Sequence, residues 1–159
     1  MKHVMMKAAV VGLTIGWTTL ALSKSGEVEI IQCGGGQVRS IATTPQHSFG
    51  TYEAYTTVRT DPPGVMFDTM SGQCLGASRL ADGKPSVWGH CEWTDKDGDK
   101  VLLHFARVEG LAGKYTVVHG TGKYLGIRGT REYQITPFPA IASGRAVCDQ
   151  GKLRYTLPD

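Results

Sequence analysis

The chain has 159 residues, 41% of them hydrophobic, and 17 lysines and arginines against 14 carboxylates, for a formal charge of +3. That length holds one domain with a packed core, and with no lysine or arginine run the charge balance argues against nucleic acid or an anionic membrane as partner. Asparagine is absent, so N-glycosylation is excluded and the turns must be made by Gly, Asp and Pro.

Residues 1–23 read as a secretory signal peptide. Lys2 and Lys7 precede an apolar stretch, AAVVGLTIGWTTLAL, and Ala21-Leu22-Ser23 offers a small-x-small cleavage site. The stretch is too short and too rich in Thr and Gly for a membrane anchor. Residues 24–159 then form a single domain in the secreted or periplasmic space, with no stable membrane span. Loss of Lys2 and Lys7 lowers the formal charge from +3 to +1.

No apolar pattern in 24–159 keeps a helical period, whereas short strand-like runs recur between turn signals. GTYEAYTTVRT ends at the loop Asp61-Pro62-Pro63-Gly64. QCLGASRL and PSVWGHCEW flank Asp82-Gly83, a strong two-residue hairpin signal. KVLLHFARV follows DKDGD. GKYTVVHG and GKYLGIRGTREYQI surround Gly120-Thr121-Gly122, segment 136–145 is a Pro- and Ala-rich excursion, and AVCDQGKLRYTL supplies a last strand. About seven or eight strands predict an all-β domain, an antiparallel barrel or sandwich.

Four cysteines in an exported chain suggest two disulfides. If Asp82-Gly83 is the hairpin loop, Cys74 and Cys91 face each other at a non-hydrogen-bonded pair. Cys33 and Cys148 then join the two ends of the domain. A zinc site is disfavoured, because no close Cys or His pair is present.

DKDGDK, residues 95–100, imitates the start of a calcium loop. Its sixth position is Lys100 and its twelfth Ala106, where an EF-hand needs Gly and Glu. A hairpin turn with Gly98 in the left-handed region is the reading adopted. With 96–98 as the loop, Trp93 opposes Val101, Cys91 opposes Leu103 and Gly89 opposes Phe105 on an apolar face. Cys74, Gly76, Ser78 and Leu80 leave room there beside Trp93 and Phe105. On the other face His90 opposes His104 near Glu92, a set able to ligate a metal or move protons if it is not simply a solvated face. Glu53 alternates with Phe49, Thr51 and Tyr55. No dinucleotide, hydrolase or metalloprotease motif is present: GTGKYLG has Leu125 where a third glycine is required. No cofactor is expected.

TVVHGTGKYLGIRG, residues 116–129, resembles the glycine signature of plant dirigent proteins through Val117, Val118, Gly120, Thr121, Gly122, Tyr124, Arg128 and Gly129. Their barrel is shared with allene oxide cyclases. EAYTTVRTDPPGVMFDTMSGQCLG and CEWTDKDGDKV resemble exported bacterial proteins placed in the same superfamily. The resemblance spans most of residues 50–130 and implies a small calycin-like antiparallel barrel of about eight strands, stabilised here by disulfides. It also implies a pocket for hydrophobic substrates, used without a cofactor. Arg128 matches the signature arginine. With Glu53, Trp93 and Phe105 it completes the expected ligand-contact set. The expected function is binding of a small hydrophobic or aromatic molecule. Its rivals are a cofactor-independent cyclase or isomerase, marked by a buried acid of shifted pKa, such as Glu53, beside Arg128 inside the barrel, and a protein-interaction module, such as an inhibitor of an envelope enzyme, with a filled barrel and an exposed patch in 59–70.

Overall fold

The computed structural model describes residues 23–138 and 145–158. The signal-peptide reading of residues 1–22 therefore lies outside the described residues, as does most of the 136–145 excursion. Eight antiparallel strands follow one another around a closed barrel: β1 (Lys24–Thr44), β2 (His47–Asp61), β3 (Met70–Ala81), β4 (Lys84–Thr94), β5 (Lys100–Val108), β6 (Ala112–Gly120), β7 (Arg128–Pro137) and β8 (Arg145–Leu157). Closure pairs β1 with β8 over Lys24–Gly36, and beyond it β1 pairs with β2 alone among the described residues.

Register follows the turns. Ala81 pairs with Lys84 around Asp82-Gly83, and this sets Cys74 opposite Cys91. Both turn residues have positive φ, 53° and 75°, as a tight primed hairpin turn requires. Trp93 pairs with Val101, Cys91 with Leu103, Gly89 with Phe105 and His90 with His104, with Gly98 at φ 86° in the loop. Both disulfides are present: Cys74–Cys91, with Cα atoms 4.0 Å apart, and Cys33–Cys148, with Cα atoms 4.1 Å apart. The second joins the first strand to the last and so secures the seam of the barrel.

Two elements differ from the sequence expectation. β1 runs for 21 residues through Gly34-Gly35-Gly36, a stretch whose composition disfavours strand. A side chain at Gly34 or Gly36 would collide with the backbone of β2 at Tyr55 and Glu53, so close strand approach accounts for these glycines. GKYLGIRGTREYQI is not strand from its start either. A 3-10 turn at Gly122–Tyr124 opens it, and the chain returns as strand only at Arg128.

Inward positions alternate along every strand and divide the interior in two. At one end Val28, Ile30, Val58, Trp93, Val101, Leu153 and Leu157 are packed tight. The connections there, 62–69 and 121–127, turn Phe67 and Tyr124 into the core. Phe67 stacks on Tyr124, with centroids 5.4 Å apart, and meets Tyr155 edge-on at 5.2 Å. The other end, bounded by the β1–β2, β3–β4 and β5–β6 turns, is open.

Candidate functional site

The open half of the barrel holds a cavity of about 430 Å³, within the range of small-molecule sites. Its walls include Tyr52, Ala54, Val87, Phe105, Tyr133 and Ile135, and the Cys74–Cys91 bridge contributes to the wall as well. Cys74, Ser78 and Leu80 of β3 border the space, and the Phe105 ring of β5 lies over Gly89, beside Gly76.

Polar side chains form the floor. Gln32 and Asp149 border the cavity and are 3% and 7% exposed. Gln32 donates from Nε2 to Thr56 Oγ1 at 3.2 Å, while its Oε1 has no partner among the described residues. Asp149 forms a buried ion pair with Arg131, whose side chain is fully enclosed. The same Arg131 Nη2 donates to the carbonyls of Ile30 at 3.1 Å and Asp149 at 3.2 Å, and Nε donates to Gly151 at 3.2 Å. Its guanidinium also lies 5.3 Å from the Tyr115 ring centroid and 5.9 Å from that of Tyr133, an arrangement that favours a weakly hydrated cation.

Tyr115 completes the group: its hydroxyl is 3.4 Å from Asp149 Oδ2 and donates to it. Burial raises the Asp149 carboxyl above its ordinary range, and the charge and hydrogen bond of Arg131, with Tyr115, offset this only in part. Burial likewise holds the Tyr115 phenol well above its usual value and pushes Tyr133 up to about 12. The floor thus presents one carboxyl able to keep or release a proton, ringed by phenols that stay neutral. These residues come from β1, β6, β7 and β8, so no local motif contains them. The available signal was alternation. Arg131, Tyr133 and Ile135 share one face of β7, and Asp149, Gly151, Leu153 and Tyr155 share one face of β8, opposite the more polar residues of each strand.

The residues singled out in the sequence are dispersed. Phe105 is on the cavity wall. Trp93 is fully buried in the closed half and packs near Tyr115, with centroids 6.3 Å apart. Glu53 borders the cavity but has an exposed side chain, and its Oε1 accepts from Tyr55 Oη and Gln73 Nε2, each at 2.7 Å. Those bonds lower its pKa. Arg128 is exposed in a shallow outer cleft with Glu27, Arg154 and Tyr155. The barrel therefore does not bring Glu53 and Arg128 together.

On the outer wall the His90 and His104 rings meet edge-on, with centroids 5.2 Å apart. The Glu92 carboxylate is held by Lys100 at 2.7 Å. Among the described residues no three His, Cys, Asp or Glu side chains are grouped as a metal site would need. In the 95–100 turn the carboxylates already have protein donors. Asp95 Oδ1 accepts from the backbone of Asp97 at 2.8 Å and Asp99 at 3.0 Å. Lys123 Nζ lies 2.6 Å from Asp95 and 2.9 Å from Asp97, so an ammonium group sits where a cation would be bound. Hydrogen bonds from Lys96 and Lys123 hold the Asp97 carboxyl at about 2.

No protein-family model matches the sequence, and no curated protein matches it. Several solved structures are similar in fold, two of them dirigent proteins. One is the pterocarpan synthase dirigent protein GePTS1, with a TM-score of 0.52 and 11% identity over 86% of this chain and 87% of that one. The other is the pterocarpan synthase dirigent protein PsPTS1, with a TM-score of 0.52 and 9% identity over 85% of this chain and 96% of that one. The chain thus has the eight-stranded antiparallel barrel of the dirigent proteins, a likeness of fold at this level of identity.

Proposed function

We propose that this protein is an exported barrel that binds a small hydrophobic or aromatic molecule in its interior. The observation that carries the reading is the cavity of about 430 Å³ with largely apolar walls and a buried polar floor, the usual make-up of a small-molecule site. Export is supported by the two disulfides, which suit an oxidising compartment. Among the described residues, no helix is long and apolar enough to cross a membrane. The protein-interaction reading has less support. Within 59–70, Phe67 and Met70 are buried in the core while residues 61–65 stay exposed, and the open half of the barrel is not filled.

The test is native mass spectrometry of protein purified from its own cell envelope, together with titration of 2-naphthol into the delipidated protein. A retained small molecule, or saturable naphthol binding that Ala54→Phe abolishes without lowering the melting temperature, supports the reading. Absence of both overturns it.

A second reading, catalysis without a cofactor, is favoured by Asp149 and Arg131. A buried carboxyl of raised pKa can give a proton to a ligand oxygen and take one back after rearrangement. Arg131 and Tyr115 would position it. If so, Asp149→Asn should keep the affinity for the retained molecule and slow its conversion to an isomer by about 100-fold or more. Unchanged conversion would remove Asp149 from the chemistry.

A further inference from the structure

The rim of the cavity differs from its floor in one respect: its positive charge has no carboxylate partner. Arg107 occupies an inward position of β5, two residues nearer the mouth than Phe105, and borders the cavity. It is half-buried and donates from Nη1 only to the carbonyl of Gly110. Its charge reaches inward, acting to lower the pKa of both Tyr52 and Tyr133 on the cavity wall. Arg79, exposed and at an outward position of β3, borders the same space at its mouth. Neither arginine has a carboxylate within ion-pair distance among the described residues, and the segment 139–144, PAIASG, contains no acid. Of the carboxylates near this end, Asp82 pairs with His47 at 3.0 Å and Glu109 with Lys84 at 3.8 Å, while Glu53, which borders the cavity with an exposed side chain, accepts from the neutral Tyr55 and Gln73.

At the opposite pole of the cavity, Gln32 Oε1 is a buried acceptor without a donor among the described residues, and Gln32 pairs across β1 and β8 with Asp149, which also borders the cavity. Buried polar atoms are ordinarily hydrogen-bonded, so the floor suits a ligand that brings a hydroxyl. The rim suits one that brings an anion, because a guanidinium favours planar, bidentate anions such as carboxylates. From these two poles we infer that the ligand is a hydroxylated ring compound bearing a carboxylate. Its hydroxyl points to Gln32 and Asp149, its apolar body lies among Tyr52, Phe105 and Tyr133, and its carboxylate is held at the mouth by Arg107 with Arg79. The inference rests on the cavity being a ligand site and adds the chemical class of the ligand.

The experiment is a calorimetric titration of the wild-type protein with four matched probes: 6-hydroxy-2-naphthoate, 2-naphthoate, 2-naphthol and naphthalene. The hydroxy acid should bind tightest, with the carboxylate giving about a tenfold gain over 2-naphthol, the size expected of a partly solvated charge-assisted contact. Arg107→Gln should erase that gain, so that the variant binds 6-hydroxy-2-naphthoate no more tightly than 2-naphthol. Arg107→Lys should retain part of it, and Arg79→Gln should reduce it by a smaller factor. Equal binding of 2-naphthol and 6-hydroxy-2-naphthoate to the wild-type protein would overturn the anionic class while leaving the binding barrel intact. Failure of all four probes to bind would remove the cavity reading and this inference with it. The wild-type comparison decides the matter even if a rim variant folds poorly.

Discussion

The two ends of the barrel use the same side-chain types differently. At the closed end, aromatic residues fill the interior and charges pair with one another: Lys123 with Asp95 and Asp97, Lys100 with Glu92, and Arg154 and Lys152 with Glu27. At the open end, aromatic rings line a space rather than fill it, and Arg79 and Arg107 border that space without a carboxylate partner among the described residues. Closure by eight strands makes the barrel stable enough to leave half of its interior unfilled. The closed end supplies packing, and under the proposed function the open end keeps its polarity for a ligand.

The seam on which both ends depend should give the largest effect. Cys33 and Cys148 are 115 residues apart in sequence and Cys74 and Cys91 only 17. In the chain-entropy view the longer loop contributes about 4–5 kcal/mol and the shorter about 3 kcal/mol. Chemical denaturation of Cys33→Ser/Cys148→Ser should therefore show the greater loss, and Cys74→Ser/Cys91→Ser the smaller one. A reversed order would mean that the wall of the cavity, not the seam, limits stability.

Packing at the two ends can be compared with one substitution. Leu153 is fully buried in the closed half, whereas Leu80 is half-buried and borders the cavity. Leu153→Ala should cost about 3–5 kcal/mol and Leu80→Ala about 1 kcal/mol, because the second removes atoms that already lack neighbours on one side. Equal losses in urea titrations would show the open end to be packed as tightly as the closed one.

The ends should also respond to pH with opposite signs. Asp149 has a raised folded-state pKa, so its ionised form is the costly one. Its contribution falls as pH rises from the unfolded value, about 3.9, through the folded one. Arg131, Tyr115, Tyr133 and Gln32 surround it, and of these only Arg131 carries charge. Asp97, held at about 2, contributes in the other direction: its stabilisation is present above the unfolded value and lost as pH falls toward 2. Stability curves of Asp149→Asn and Asp97→Asn, each subtracted from wild type, should slope oppositely below neutrality. Parallel curves would mean that Arg131 outweighs burial at Asp149.

How much of this was legible in the sequence depended on turns. Asp82-Gly83 and Gly98 fix their hairpins locally, so the register of β3, β4 and β5, the Cys74–Cys91 bridge and the facing of His90 and His104 all followed from counting outward. The small residues of β3 beside Phe105 likewise marked the space that became the cavity. Arg131 and Asp149 could not be placed this way. The connection between β7 and β8 is long and has no two-residue hairpin signal such as Asp-Gly, so the pairing of those strands was not readable. The alternation in TREYQI and VCDQGKLRYTL was visible, but a charged residue on an apolar face has meaning only once its partner is known. Glu53 shows the converse: a strand face containing Phe49 and Tyr55 suggested the interior, whereas barrel closure turned that face outward.

The smallest expected effect is a null one at the closed end. DKDGDK has the carboxylate spacing of a cation loop, yet each of the three carboxylates already accepts from the protein: Asp95 and Asp97 from Lys123 Nζ, and Asp99 from the Lys123 backbone at 3.1 Å. A calcium ion would have to displace that ammonium and break the backbone bonds that shape the turn, while gaining none of the bidentate Glu ligation that a tight calcium loop supplies. Millimolar calcium should therefore leave the melting temperature of the wild-type protein unchanged within error. Lys123→Gln sharpens the point, because it removes the competing charge and keeps the backbone donors. If that variant gains an EDTA-reversible upward shift while wild type does not, the lysine is what separates this turn from a cation site. A saturable shift in wild type itself would show that the closed end, too, keeps polarity free for a ligand, and the contrast between the two ends would not hold.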